Sequence, residues 1–166
     1  MIPAELTPGL LFLWPKYEHQ NDGIIKDRYF LFLGETNDII DPDSLYYLVT
    51  GTSLCNYYDC GEDRENSCHV RFKAFTHGLP VETVFDFDLN FNMHYKHTLN
   101  AKISQMIKIS IFSNDEIAVL FNKLNLSDRI PHHAKKSIQS GLSQLGIPNL
   151  NTVATKRKKK YSQRTR

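Results

Sequence analysis

Long apolar runs are missing from this chain, and no stretch approaches the ~20 residues a membrane-spanning helix needs. Cysteine is scarce, with three residues, and an odd count does not suit a secreted disulfide framework. The start, Met1-Ile2-Pro3-Ala4-Glu5, has no cationic stretch leading into an apolar one, so it does not read as a secretory signal. There is no Gly-rich phosphate loop, no G-x-S-x-G and no H-E-x-x-H. Nucleotide-hydrolase and serine-hydrolase readings therefore have nothing to build on, and no cofactor is expected. No internal repeat is present. These absences point to a cytoplasmic protein with no membrane partner.

At 166 residues the chain suits one domain with a core that needs no staples. Hydrophobic content of 41% and charged content of 23% are those of an ordinary soluble protein. The net charge of +2 hides an asymmetry. Residues 156 to 166 hold seven of the 20 basic residues and no acid, which leaves 13 basic against 18 acidic residues, or −5, in the body. The basic run Lys156, Arg157, Lys158, Lys159 and Lys160 suits contact with nucleic-acid phosphates. It equally suits a solvated, disordered terminus. The expected organisation is a single domain over 1–150 and a basic tail over 151–166.

The front half reads as strands. Gly9 to Trp14 is an apolar run closed by Pro15, and Tyr29 to Leu33 and Leu45 to Thr50 follow. Val70, Phe72 and Ala74 alternate with Arg71 and Lys73. Val84 to Phe91 shows the clearest alternation: Phe85, Phe87, Leu89 and Phe91 are expected on a core face, with Asp86, Asp88 and Asn90 opposite. The back half reads as helices: Leu99 to Ile109, a second opened by the capping-box signature Ser113-Asn114-Asp115-Glu116, and a third. The third starts at Asn125 or Ser127, has Pro131 in its first turn and Ile138, Leu142 and Leu145 on one face, and stops at Gly146 and Pro148. Strands followed by helices define an α+β class.

Several clusters carry candidate chemistry. Asp86-Phe87-Asp88-Leu89-Asn90 superficially matches the start of a calcium loop, but it lacks the following glycine and the later acid, so the polar face of a strand explains it better. Cys55, Cys60, Cys68 and His69 could ligate zinc, although C-x4-C-x7-C-H departs from paired C-x2-C spacing and free thiols are the alternative. His94 and His97, with Asp88, are a second thin metal candidate. Exposed histidines at a strand-to-helix junction account for them as well, and the same holds for His132 and His133. No metal is expected.

The densest constellation is Lys26-Asp27-Arg28 running into the strand Tyr29 to Gly34, beside Leu48-Val49-Thr50-Gly51-Thr52-Ser53. If these strands are neighbours, an arginine fork and hydroxyls converge, as phosphate handling needs. A charged turn opening an ordinary strand would use the same residues. Cutting RNA through its own 2′-OH without a metal takes a base, an acid and a cation on the phosphorane. Glu18, His19 or Asp27 could move the proton, and Arg28 is the cation. Lys26, Thr50 and Ser53 could bind the substrate.

The order Gly9-Leu10-Leu11-Phe12, a loop ending near Gly23, Lys26-Asp27-Arg28 entering an apolar strand, and Val49-Thr50-Gly51-Thr52-Ser53 resembles the MazF/PemK family of toxin endoribonucleases across residues 9 to 124. The resemblance implies an SH3-like β-barrel of five to seven strands with C-terminal helices. It also implies single-stranded RNA as substrate, a protein antitoxin and a homodimer. Arg28 would be the catalytic arginine and Thr52 (or Thr50) the active-site hydroxyl. Tyr29 stands where the family usually has proline, the acidic-Gln pair before the glycine is absent, and Asn56 to Ser67 and the helices beyond Ser127 lengthen the chain.

Overall fold

A continuous apolar run, Leu10 to Trp14, buried on both faces, opens the first strand, β1 (Leu10–Glu18), and antiparallel neighbours extend it into a sheet. The computed structural model describes residues 5–18, 23–36 and 44–154. The further strands are β2 (Ile25–Glu35), β3 (Leu45–Thr52), β4 (His69–Phe72), β5 (Thr83–Asp86), β6 (Phe91–Tyr95) and β7 (Ile107–Ile111). The helices are α1 (Lys96–Asn100), α2 (Asn114–Leu126) and α3 (His132–Gln144). The sheet runs β4-β5-β3-β2-β1-β7, and β6 lies beside β5 along the same edge of β3. The result is an α+β protein: a curled antiparallel half-barrel with helices toward the C-terminus.

Both faces of the sheet are covered. On one, Leu11, Leu31, Leu33, Tyr47, Val49 and Phe85 pack against Ile117, Leu120, Phe121 and Leu124 of α2 and Ala134, Ile138 and Leu142 of α3. On the other, Leu10, Phe12, Trp14, Tyr17, Phe30, Phe32 and Leu48 pack against Leu99 of α1 and Met106. Each fully buried Leu or Phe contributes ~1.5–3 kcal/mol, so two layers of such residues hold the sheet from both sides. Among the described residues no helix is long and apolar enough to cross a membrane.

Four sequence expectations change. The run from Val84 to Phe91 is two strands, not one. Asp86 is fully buried and turns the chain, its carboxylate accepting the N–H groups of Asp88 (2.8 Å) and Leu89 (3.3 Å). Leu89, expected in the core, is 46% exposed on that turn. Leu99 to Ile109 is not one helix: α1 ends at Asn100, a 3₁₀ turn covers Ile103–Gln105, and β7 follows because Ile107, Lys108, Ser110 and Ile111 pair with the free edge of β1. The third helix opens later than expected, with α2 running to Leu126 and Pro131 standing at the N-cap of α3. Leu145 is exposed rather than buried. The capping box holds: Ser113 Oγ accepts from Glu116 N, and Glu116 Oε2 accepts from Ser113 N at 2.8 Å.

Candidate functional site

Pro15 was expected to close the first strand, yet β1 continues past it to Glu18. Trp14 pairs with Arg28 and Tyr17 with Lys26, so Pro15 and Lys16 together oppose Asp27. This is a two-against-one β-bulge, one of the few places a strand tolerates a residue without an N–H. Lys16 takes φ 51°, the left-handed region that costs an L-residue ~1–2 kcal/mol. Its N–H donates to Asp27 Oδ1 at 2.9 Å, which ties the bulge to the opposite strand. The extra residue also shifts the alternation, so Tyr17 shares a face with Trp14, the rings 4.9 Å apart.

The bulge borders a cavity of about 450 Å³ lined by Lys16, Tyr17, Glu18 and Gly23 from the β1–β2 hairpin, His94 from β6, and Thr98, Lys102 and Gln105 from the segment after β6. Trp14 forms its floor and is only 5% exposed. The Lys102 ammonium stands 5.8 Å from the Trp14 ring centroid, and the His94 ring is 6.4 Å from it. Burial, and then the charge of Lys102, holds the His94 imidazole below its usual pKa, which keeps it neutral at pH 7. Its Nε2 is enclosed and has no hydrogen-bond partner among the described residues. Burial pushes the Tyr17 phenol up, with the Arg28 charge acting the other way.

Arg28 lies opposite Trp14 on the cavity side of the sheet, half-buried, and its Nε is also without a partner among the described residues. Thr50 lies across from Phe30, one diagonal step from Arg28, and its Oγ1 accepts from Asn92 Nδ2 at 3.0 Å. The β2–β3 ladder ends at that pair. Beyond it Arg28 stays with β1, whereas Thr52 pairs with Val84 of β5. Thr52 Oγ1 accepts the Leu54 N–H at 3.2 Å, a local turn bond. Ser53 and Lys26 are exposed, and Glu18 lines the cavity. His19 and the tail residues Lys156, Arg157, Lys158, Lys159 and Lys160 lie outside the described residues.

The other candidates disperse. Cys55 Sγ faces the carbonyl of Glu82, Cys60 is exposed, and His69 Nδ1 sits 3.0 Å from Ser67 Oγ. Burial raises the thiol pKa of both Cys55 and Cys68. The strand-to-helix boundary falls between His94 and His97, and His97 stacks on Tyr95 instead. Asp86 and Asp88 are spent on protein donors: Tyr58 Oη and two backbone N–H groups on the first, Cys68 N and Ser127 Oγ on the second. Among the described residues no group of three or more His, Cys, Asp or Glu is placed to hold a metal ion.

Sequence reasoning missed Lys16 and Lys102 altogether and weighed His94 only as a metal ligand. A proline inside an otherwise apolar strand was the available signal for a bulge, and so for Lys16. Nothing local marks Lys102, because it reaches the cavity from some 85 residues downstream of the bulge. The combined site offers two ammonium groups, a carboxylate, a neutral imidazole and a nearby guanidinium around one opening. Such a set can hold an anion and move a proton beside it. Compared with known proteins, the chain matches no family model, no curated protein and no solved structure.

Proposed function

We propose that the protein is a metal-independent endoribonuclease of toxin type acting on single-stranded RNA, with the cavity beside the β1 bulge as its site. The observation that carries this reading is the shared lining of Glu18, His94, Lys16 and Lys102. Glu18 and the neutral His94 are the proton-transfer pair: one takes the 2′-OH proton, and the pair then returns that same proton to the leaving oxygen. Lys16, Lys102 and Arg28 stabilise the extra charge of the phosphorane. The MazF/PemK resemblance adds Arg28 as the catalytic cation and extends the half-barrel to the SH3-like fold of that family. The antitoxin and the homodimer belong to the same reading and rest on that resemblance.

The test is cleavage of single-stranded RNA in excess chelator by the wild type, Arg28→Ala and Glu18→Gln. Activity in the wild type with a fall of roughly a hundredfold in each variant, or ~3 kcal/mol of transition-state stabilisation, supports the proposal. A wild type that binds RNA without cutting it turns the protein into a binding module on the same fold. That second reading draws on one observation: Asp27 Oδ1 and Thr52 Oγ1 each already accept a backbone N–H.

A further inference from the structure

We infer that the β1 bulge is a phosphate clamp: Asp27 locks Lys16 in its left-handed conformation so that the Lys16 ammonium, together with Lys102, holds a phosphate group at the cavity. The inference rests on the ribonuclease reading for its natural ligand, the phosphodiester of single-stranded RNA, but its own grounds are separate. Lysine is an expensive choice at a φ of 51°. Glycine or asparagine would fit that conformation with less strain. The bulge does not need a lysine to form, since its tie to β2 uses only the Lys16 backbone N–H. What the lysine adds is a cation at the cavity wall, and bulges commonly re-aim a side chain next to a site. Lys102 brings a second cation to the same cavity from the far side of the chain.

Asp27 then has a defined task. It stands opposite the two bulged residues, and its Oδ1 accepts the Lys16 N–H at 2.9 Å. It is a positioning residue, not the acid or base that its place beside Arg28 suggested. An amide oxygen can accept the same hydrogen bond, so asparagine should substitute for it and alanine should not. A proton-transfer role would instead make asparagine fail in RNA cleavage as alanine does, because an amide carries no titrating proton.

The experiment measures binding of a short 2′-O-methyl RNA, which cannot be cut, and of inorganic phosphate. Wild type, Lys16→Gly, Asp27→Asn and Asp27→Ala are compared, together with their melting temperatures. Lys16→Gly should weaken RNA binding tenfold or more while its melting temperature stays at or above that of the wild type. Asp27→Asn should keep affinity within about threefold, and Asp27→Ala should lose most of it. If RNA binds and Lys16→Gly leaves the affinity unchanged, the clamp is overturned and the ribonuclease reading survives at another position. If RNA does not bind but phosphate raises the wild-type melting temperature and not that of Lys16→Gly, the clamp stands and the RNA reading falls. If neither probe responds to Lys16→Gly, the inference is wrong.

Discussion

Removing the Asp86 carboxylate should be among the most damaging single changes in the fold. The side chain is fully buried and accepts three hydrogen bonds, from Tyr58 Oη at 2.9 Å and from the N–H groups of Asp88 and Leu89. These bonds join the segment around Cys55–Tyr58 to the turn that separates β5 from β6, and β6 brings His94 to the cavity. Asp86→Ala leaves two backbone donors without their acceptor. Tyr58 keeps only its bond from Arg64. Stripping one side of a buried charged network costs ~3–5 kcal/mol, a large part of the ~5–15 kcal/mol that holds a domain together. Asp86→Asn preserves the shape and one acceptor oxygen for the turn, so its cost should be ~1–2 kcal/mol. Urea unfolding followed by fluorescence reads both midpoints, and equal slopes confirm that stability alone has changed. If Asp86→Ala costs less than ~1 kcal/mol, the network is not what holds the turn, and the reasoning fails.

Two further predictions concern pH. The His94 imidazole is held below its usual value by burial and then by Lys102, so the unfolded chain binds its proton more readily than the folded one. Stability from this group is complete above ~6.5 and falls as the pH drops below that. His94→Gln should flatten the loss below pH ~6.5 in unfolding experiments, and an unchanged slope would contradict the burial argument. Tyr58 is the reverse case: its phenol is pushed up to about 12, chiefly by burial, so the folded state keeps a proton that the unfolded state releases. Its contribution is complete below ~10 and is lost as the pH rises toward 12. Tyr58→Phe should lessen the alkaline loss of stability, and phenolate absorbance should show one tyrosine titrating late.

The α+β class, the presence of the first three strands and the capping box of α2 were legible because local chemistry and tertiary context agree there, but Pro15 did not end β1, which runs on to Glu18. Alternation failed at Asp86, where a carboxylate satisfied by three donors lies deeper than the polar face of a strand would place it. The helix expected at Leu99 to Ile109 failed because β-branched residues at its end met an unpaired edge of β1, a non-local fact. The candidate site was half legible. Asp27 and Arg28 stood out as charges at a strand start and Glu18 as an acid in the loop before it; the structure puts all three at or beside the bulge, with Glu18 the last residue of β1 rather than in a loop. Thr52, read with them, is drawn away by its pairing to β5. His94 and Lys102 join only through β6 and the segment after it, which no spacing rule connects to the first hairpin.

The most direct test of the ribonuclease proposal is the chemistry of the ends it leaves on RNA. Purified wild-type protein is incubated with a mixed-sequence single-stranded RNA in excess chelator, and the fragments are analysed by mass spectrometry. We predict fragments ending in 2′,3′-cyclic phosphate, because attack by the 2′-OH needs only the proton-transfer pair and the cations around the cavity. A matched 2′-O-methyl RNA should stay intact. Intact RNA throughout, or cleavage that also proceeds on the 2′-O-methyl strand, would contradict the proposed chemistry.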